Sequence, residues 1–72
     1  MPTDSSFTIK LNGETHWVDG DPHLPALIES LKLRRGRVAV EINQNVVPKA
    51  QWTNTVLRPD DMVEIVNFVG GG

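Results

Sequence analysis

The sequence predicts an α+β fold in which one main helix packs on one face of a mixed sheet of four to five strands. Three observations predict this fold. Short segments of alternating apolar and polar residues flank a single segment with helical periodicity. Clusters of glycine, proline, asparagine and aspartate separate these segments. The 72 residues leave room for one domain, and 39% of them are hydrophobic, which is enough for a folded core.

The first two strands are predicted to form a hairpin. Residues 7–11 alternate apolar and polar side chains, Asn12-Gly13 is a strong hairpin signal, and residues 14–18 form the return strand.

Two registers are compatible with this hairpin. A two-residue turn puts His16 and Val18 on the same face as Ile9. A three-residue loop with a bulge at the glycine puts Thr15 and Trp17 there instead. We expect the bulge, because Trp17 offers more apolar area to bury than Val18 and a buried His16 would need a polar partner.

A single main helix is predicted from about Leu24 to Lys32. Its apolar residues recur at helical spacing and form one stripe that faces a core: Leu24, Leu27, Ile28 and Leu31. The turn cluster Asp19-Gly20-Asp21-Pro22 precedes the helix, and Pro25 fits its first turn. We expect Arg34-Arg35-Gly36-Arg37 to end the helix, since basic residues and glycine are favourable at a helix C-terminus.

Three further strands are predicted after the helix. They are residues 38–42, a short strand at Val46-Val47, and residues 62–68. One helical turn within residues 49–54, anchored by Trp52, comes before the last strand. That strand is the most apolar, so we place it in the middle of the sheet and parallel to the first strand, which is the β-grasp topology.

The two faces of the last strand predict a partner surface. Glu64 cannot lie unpaired in the core, so Val63 and Ile65 point inward. Glu64, Val66 and Phe68 then point away from the helix. We expect Val66 and Phe68 to form an exposed apolar patch beside the end of the chain, and such patches often mark docking surfaces.

The chain ends in three consecutive glycines, which predict a reactive tail. We expect residues 1–69 to form the β-grasp domain and residues 70–72 to form a flexible tail. Glycines have no Cβ, so Gly70 and Gly71 can be threaded through a narrow cleft of another protein. The carboxylate of Gly72 is a poor electrophile, but condensation with a nucleoside triphosphate would give an acyl-adenylate, which a sulfur nucleophile could convert to a thiocarboxylate.

Composition and motifs argue against several other functions. The net charge of −2 makes nucleic acid a poor partner, and no apolar run approaches the length of a membrane span. The absence of cysteine excludes disulfides and thiolate chemistry and favours the cytoplasm. His16 and His23 have no carboxylate at ligand spacing, so we expect no metal site. No catalytic constellation is expected in a domain this small.

The sequence also resembles the family of sulfur carrier proteins of thiamine biosynthesis, from about Phe7 onward. The resemblance rests on Gly13, the stretches 38–43 and 46–48, Trp52, Asp61, and the ending Val63-Glu64-Ile65-Val66-Asn67-Phe68-Val69-Gly70-Gly71-Gly72. Two departures are Pro59-Asp60-Asp61 in the turn before the last strand and His23-Leu24-Pro25 at the helix start. The first departure changes the geometry of the turn. The second weakens the N-cap of the helix, which we expect to cost about 1 kcal/mol of stability and no function.

The resemblance implies a ubiquitin-like fold and a specific use of the tail. An ATP-dependent adenylyltransferase of the ubiquitin-activating type would adenylate Gly72, and sulfur drawn from cysteine through a desulfurase would give the thiocarboxylate. Thiazole synthase would accept this sulfur. The docking segment would comprise Glu64, Val66, Phe68 and Val69. The chain would be a carrier with no catalytic residue and no bound cofactor, and a monomer when free.

Two alternatives use the same fold. The carrier could instead serve molybdopterin synthesis or another sulfur-transfer pathway. The chain could also be a ubiquitin-like interaction module whose glycines are inert.

Overall fold

The computed structural model describes residues 5–33 and 37–68. The segments 1–4, 34–36 and 69–72 lie outside this description. In chain order, the elements are β1 (Phe7–Leu11), β2 (Glu14–Val18), α1 (Leu24–Ser30), β3 (Arg37–Ile42), β4 (Asn45–Val46), a 3-10 helix (Lys49–Asn54) and β5 (Met62–Phe68).

The strands form one five-stranded mixed sheet in the order β2-β1-β5-β3-β4. β5 is central, as predicted, and lies parallel to β1 and antiparallel to β3. The parallel register is extended at both ends by backbone bonds, from Lys10 N to Asp61 O and from Asn12 N to Val63 O, each 2.8 Å long. The predicted β-grasp topology is therefore confirmed.

The hairpin between β1 and β2 corrects the expected register. Its strands pair Phe7 with Val18 and Ile9 with His16 around a two-residue turn, so the bulge that we expected is wrong. Val18 is 7% exposed on the inner face, whereas Trp17 is 55% exposed on the outer face.

The turn residues explain why the two-residue turn is preferred. Asn12 (φ 50°) and Gly13 (φ 85°) both occupy the left-handed region, as a type I′ turn requires. This turn aims the Asn12 amide at β5, where Oδ1 accepts from Ile65 N (2.8 Å) and Nδ2 donates to Ile65 O (3.1 Å). His16 stays only partly buried, so it avoids the full desolvation penalty that had argued against this register.

The helix ends earlier than predicted. α1 stops at Ser30, whose hydroxyl donates to Leu27 O (2.7 Å), and Lys32 takes the left-handed backbone conformation just after it (φ 50°). The segment 34–37 therefore does not end the helix. Arg37 instead begins β3.

The core lies between α1 and the inner face of the sheet. Its buried residues come from α1, from four of the strands and from one loop: Ile9, Val18, Leu24, Leu27, Val40, Leu57, Val63 and Ile65. Trp52 of the 3-10 helix packs against this core, as predicted, and its indole Nε1 donates to Val47 O (3.0 Å). β4 begins one residue earlier than predicted, which leaves Val47 free to pack on the core.

Candidate functional site

No described helix covers the outer face of the sheet, which presents alternate residues of β5. Met62 (58% exposed), Val66 (49%) and Phe68 (56%) all lie on this open face. Glu64 lies between them and is also exposed. Val63 and Ile65 point into the core, as predicted. Because side chains alternate along a strand, one face of β5 packs in the core and the other is exposed to solvent.

Neighbouring strands complete an apolar surface around β5. Val46 of β4 is 72% exposed and pairs with Glu41, which places it on the same face. We call Val46, Met62, Val66 and Phe68 the open-face patch. Among the residues that the structure describes, the remaining large exposed hydrophobic residues are Trp17 and Val56. Most of the described exposed apolar side chains therefore share one surface, which is typical of a docking site.

Two carboxylates interrupt this patch. Glu64 of β5 lies directly opposite Glu41 of β3 in the antiparallel register. Within residues 5–33 and 37–68, neither carboxylate has an ion pair or a side-chain hydrogen bond. Like charges directly opposite each other destabilise a sheet. We therefore expect the pair to lower the stability of the domain slightly.

A hollow of about 370 Å³ opens beside Glu64, next to the hairpin turn. It is lined by Lys10, Gly13, Met62, Val63 and Glu64. The Lys10 ammonium donates to Thr15 Oγ1 (2.9 Å). A Cβ at Gly13 would meet no described heavy atom within 4 Å apart from its two neighbours in the chain.

The end of β5 is held to β3 up to the last described residue. Phe68 pairs with Arg37, and the side-chain Nδ2 of Asn67 donates to Arg37 O (3.2 Å). The structure thus brings the predicted docking residues Glu64, Val66 and Phe68 together on one face of β5. Val69, Gly70, Gly71 and Gly72 lie outside the described residues, so their roles in docking, threading and modification stay predictions.

The remaining candidate residues form no second centre in the described part of the chain. His23 Nδ1 lies 2.7 Å from Asp21 Oδ1, which also accepts from His23 N (2.9 Å). These hydrogen bonds lower the pKa of Asp21 and hold the turn before α1. Residues 5–33 and 37–68 contain no group of three or more His, Cys, Asp or Glu that could hold a metal ion. No described helix is long and apolar enough to cross a membrane.

Sequence reasoning placed Glu41 on the outer face with Glu64 but missed their direct pairing, and it missed the bonds of Asn12. Glu41 was not connected to Glu64 because their opposition depends on the register between β3 and β5. The signal for Asn12 was present in the Asn-Gly dipeptide, which predicted the turn but not the bonds to a strand more than fifty residues away.

Comparisons with known proteins agree on one family. The model of the ThiS family matches residues 9–72. The sulfur carrier protein ThiS of Bacillus subtilis is 34% identical over 65 residues, which cover 89% of this chain and 98% of that protein. A thiazole synthase of Magnetococcus marinus is 41% identical over 64 residues, and the match covers 89% of this chain but only 20% of that protein.

A solved structure shares the fold. The crystal structure of the thiamine biosynthesis protein ThiS from Geobacter metallireducens superposes with a TM-score of 0.75 at 30% identity. The match covers 92% of this chain and 100% of that one. This likeness confirms the ubiquitin-like β-grasp fold.

Proposed function

The chain belongs to the ThiS family, and we propose that it carries sulfur for the thiazole moiety of thiamine as a thiocarboxylate on Gly72. The observation that carries the proposal is the open-face patch on β5, the strand that leads directly into the glycine segment. The family match across residues 9–72 and the likeness to the sulfur carrier of Bacillus subtilis support the same function.

The proposed chemistry takes place in two steps at one carboxylate. An oxygen of the Gly72 carboxylate attacks the α-phosphorus of ATP, which forms an acyl-adenylate and releases pyrophosphate. In the second step, the terminal sulfur of a donor persulfide attacks the acyl carbon and AMP leaves, which gives an acyl disulfide; a thiol then attacks the donor's sulfur in this disulfide, so that a new disulfide forms on the donor side and the thiocarboxylate is released. We assign the first step to an adenylyltransferase of the ubiquitin-activating type and the supply of sulfur to a cysteine desulfurase.

We expect the catalytic groups to come from partner enzymes because the domain is small. The chain provides a carboxylate and a docking face, while the partner enzymes provide the catalytic groups and bind the ATP. No cofactor belongs to the carrier itself. We place this ATP-dependent exchange in the cytoplasm.

The geometry supports docking and threading by different parts of the chain. Glu64, Val66 and Phe68 are held on a central strand and offer one surface, and Val69 follows them in the sequence as the last predicted docking residue. From Phe68, four further residues can extend at most about 14 Å. A partner that binds the open-face patch must therefore have its reactive centre within about that distance, at the end of a cleft narrow enough to need Gly70 and Gly71.

Thiazole synthase is the acceptor that the comparisons favour. In the Magnetococcus marinus relative, a segment similar to this chain makes up a fifth of a protein named thiazole synthase. A second such relative, from Paramagnetospirillum magneticum, is 36% identical over 62 residues that cover 19% of its length. Joining a carrier and its acceptor in one chain raises their effective concentration, which is useful only where the two meet.

Intact mass spectrometry tests the proposal. The full chain is incubated with ATP, the activating enzyme and a sulfur donor, and then with thiazole synthase. We expect one oxygen of the protein to be replaced by sulfur and then restored when thiazole synthase and its substrates are added. A mass that never changes would contradict the carrier function. Sulfur that passes only to molybdopterin synthase would identify the alternative pathway.

Deletion of Gly71 and Gly72 provides the matched control. We expect this variant to keep its unfolding midpoint, because every buried residue of the core stays in place, and to lose all sulfur transfer, because the Gly72 carboxylate is removed. An unchanged transfer activity would identify an inert tail.

A further inference from the structure

The two edges of the sheet differ in how well they are protected. The β4 edge has only two residues, Asn45–Val46, and a proline follows shortly after it. The β2 edge has five residues, Glu14–Val18, without proline, glycine, lysine or a bulge. Exposed edges are usually shortened or blocked by such features, because unpaired backbone groups can bind another strand. The β2 edge is therefore open to an added strand.

Unpaired backbone groups occur at two positions of β2. The two-residue turn makes Leu11 and Glu14 a hydrogen-bonded pair, and the pattern alternates along an antiparallel ladder. Thr15 and Trp17 consequently direct their N–H and C=O groups away from β1. Within the described part of the chain, no hydrogen bond is made to these outward backbone groups.

A hollow of about 380 Å³ runs between this edge and α1. Val18 and Leu27 form its buried apolar floor, with Ala26 beside them, and His16 borders it on the strand side. Side chains on the inner face of an added strand would enter this hollow. Side chains on its outer face would contact the exposed indole of Trp17. The edge thus offers both backbone bonds and side-chain pockets, which are the two requirements for recognition by strand addition.

The charge around the edge indicates which strand would fit. Glu14 lies at one end of β2, and Asp19 and Asp21 lie beyond the other end. From residue 14 to residue 31 the sequence contains four carboxylates and no lysine or arginine, although the Lys10 ammonium of β1 donates to Thr15 Oγ1 and Asp21 contacts His23. A basic residue at each end of the added strand would complement this field. A second copy of the chain would instead bring Glu14 toward the partner's acidic end, so self-association is disfavoured.

We propose that the β2 edge is a second docking site, which binds an extended segment of a partner protein with aliphatic residues at alternate positions and Lys or Arg at both ends. β2 is separated from β5 by β1, so occupancy of this edge leaves the open-face patch accessible. One protein can then hold the carrier while another acts on its tail. This proposal does not depend on the chemistry at Gly72.

The probe is a capped seven-residue peptide, Lys-Val-Thr-Val-Thr-Val-Lys, titrated into the isotopically labelled full chain and followed by NMR. We expect saturable shifts at Thr15, Trp17 and Leu27, and none at Val66 or Phe68. A peptide with glutamate in place of both lysines should bind at least about tenfold more weakly. The E14Q/D19N variant should reduce this preference while its circular dichroism spectrum stays unchanged.

Backbone methylation of the peptide separates strand addition from a merely charged contact. Only one alternate set of peptide N–H groups can face β2. N-methylation of one set of residues, either the valines or the threonines, should therefore abolish binding of the peptide. N-methylation of the other set should leave its affinity unchanged. The proposal is overturned if millimolar peptide shifts no residue of β2 or α1. It is equally overturned if both methylated peptides bind alike, or if the glutamate peptide binds as well as the lysine peptide.

Discussion

The two faces of β5 differ in burial although their residues alternate along one strand. Ile65 is 7% exposed and packs in the core, whereas its neighbour Val66 is 49% exposed on the open face. Both are β-branched and suit a strand equally well. The difference teaches that stability and recognition can depend on different residues of the same strand. Five predictions, from the largest expected effect to the smallest, test how far this separation extends.

The largest expected effect comes from the covered face. Ile65→Ala should lower the free energy of unfolding by about 2–4 kcal/mol, because it removes buried methyl groups and leaves a cavity. The matched Val66→Ala should change it by less than about 0.5 kcal/mol. Urea denaturation measures both values. Similar losses for the two variants would show that the open face also contributes to the core.

For binding to a partner, we expect the open face of β5 to matter more than its covered face. Val66→Ala and Phe68→Ala should each weaken binding to thiazole synthase by about tenfold or more, since apolar residues at the centre of a docking surface dominate affinity. Calorimetric titration would measure this change. Val56→Ala, at an exposed valine outside the patch, should leave the affinity unchanged. A loss as large at Val56 would contradict the assignment of the docking surface.

The hairpin turn should give the next effect on stability. Asn12→Gly keeps a residue suited to positive φ but removes both bonds to Ile65, and should cost about 1–2 kcal/mol. Asn12→Ala should cost about 1 kcal/mol more, because alanine is strained at this φ. The difference between the unfolding free energies of the two variants, measured by urea denaturation, gives the cost of placing a side chain at this positive φ. Equal costs would mean that the side-chain bonds account for the whole effect.

The opposed carboxylates should give a small effect of the opposite sign. Glu41→Gln should raise the free energy of unfolding by a few tenths of a kcal/mol at low salt, since it relieves the repulsion with Glu64. The gain should disappear at high salt. Glu29→Gln on the exposed side of α1 is the control. A destabilised Glu41→Gln would contradict the proposed repulsion.

The smallest expected effect is on how the stability of the domain changes as the pH falls. Hydrogen bonds from His23 lower the pKa of Asp21 in the folded state, so their stabilising contribution is present above the unfolded pKa and is lost as the pH falls through the folded one. Asp21→Asn should therefore differ most from the wild type near neutral pH and converge with it below about pH 4. Thermal unfolding across this pH range measures the trend, and a gap that widens toward acid would contradict it.

Local patterns were enough to predict the elements and the face of each β5 residue. Alternation around Glu64 placed Val63 and Ile65 inside and Val66 and Phe68 outside, because a charged side chain admits only one choice. The hairpin register was predicted wrongly although Asn12-Gly13 is the dipeptide that favours a two-residue type I′ turn, because the apolar area of Trp17 was given more weight. The bonds of Asn12 to Ile65, which also favour this register, are long-range contacts and leave no local signal. The opposition of Glu41 and Glu64 was hidden for the same reason.

The central position of β5 also determines how the domain responds to force. A partner that draws the tail into a cleft pulls along β5, which is paired with β3 from Val63 to Phe68 and is bonded to β1 on its other side. Tension in this direction loads many ladder bonds together in shear, whereas an edge strand pulled sideways would unzip one bond at a time. The same strand that presents the tail is thus the mechanical anchor of the fold.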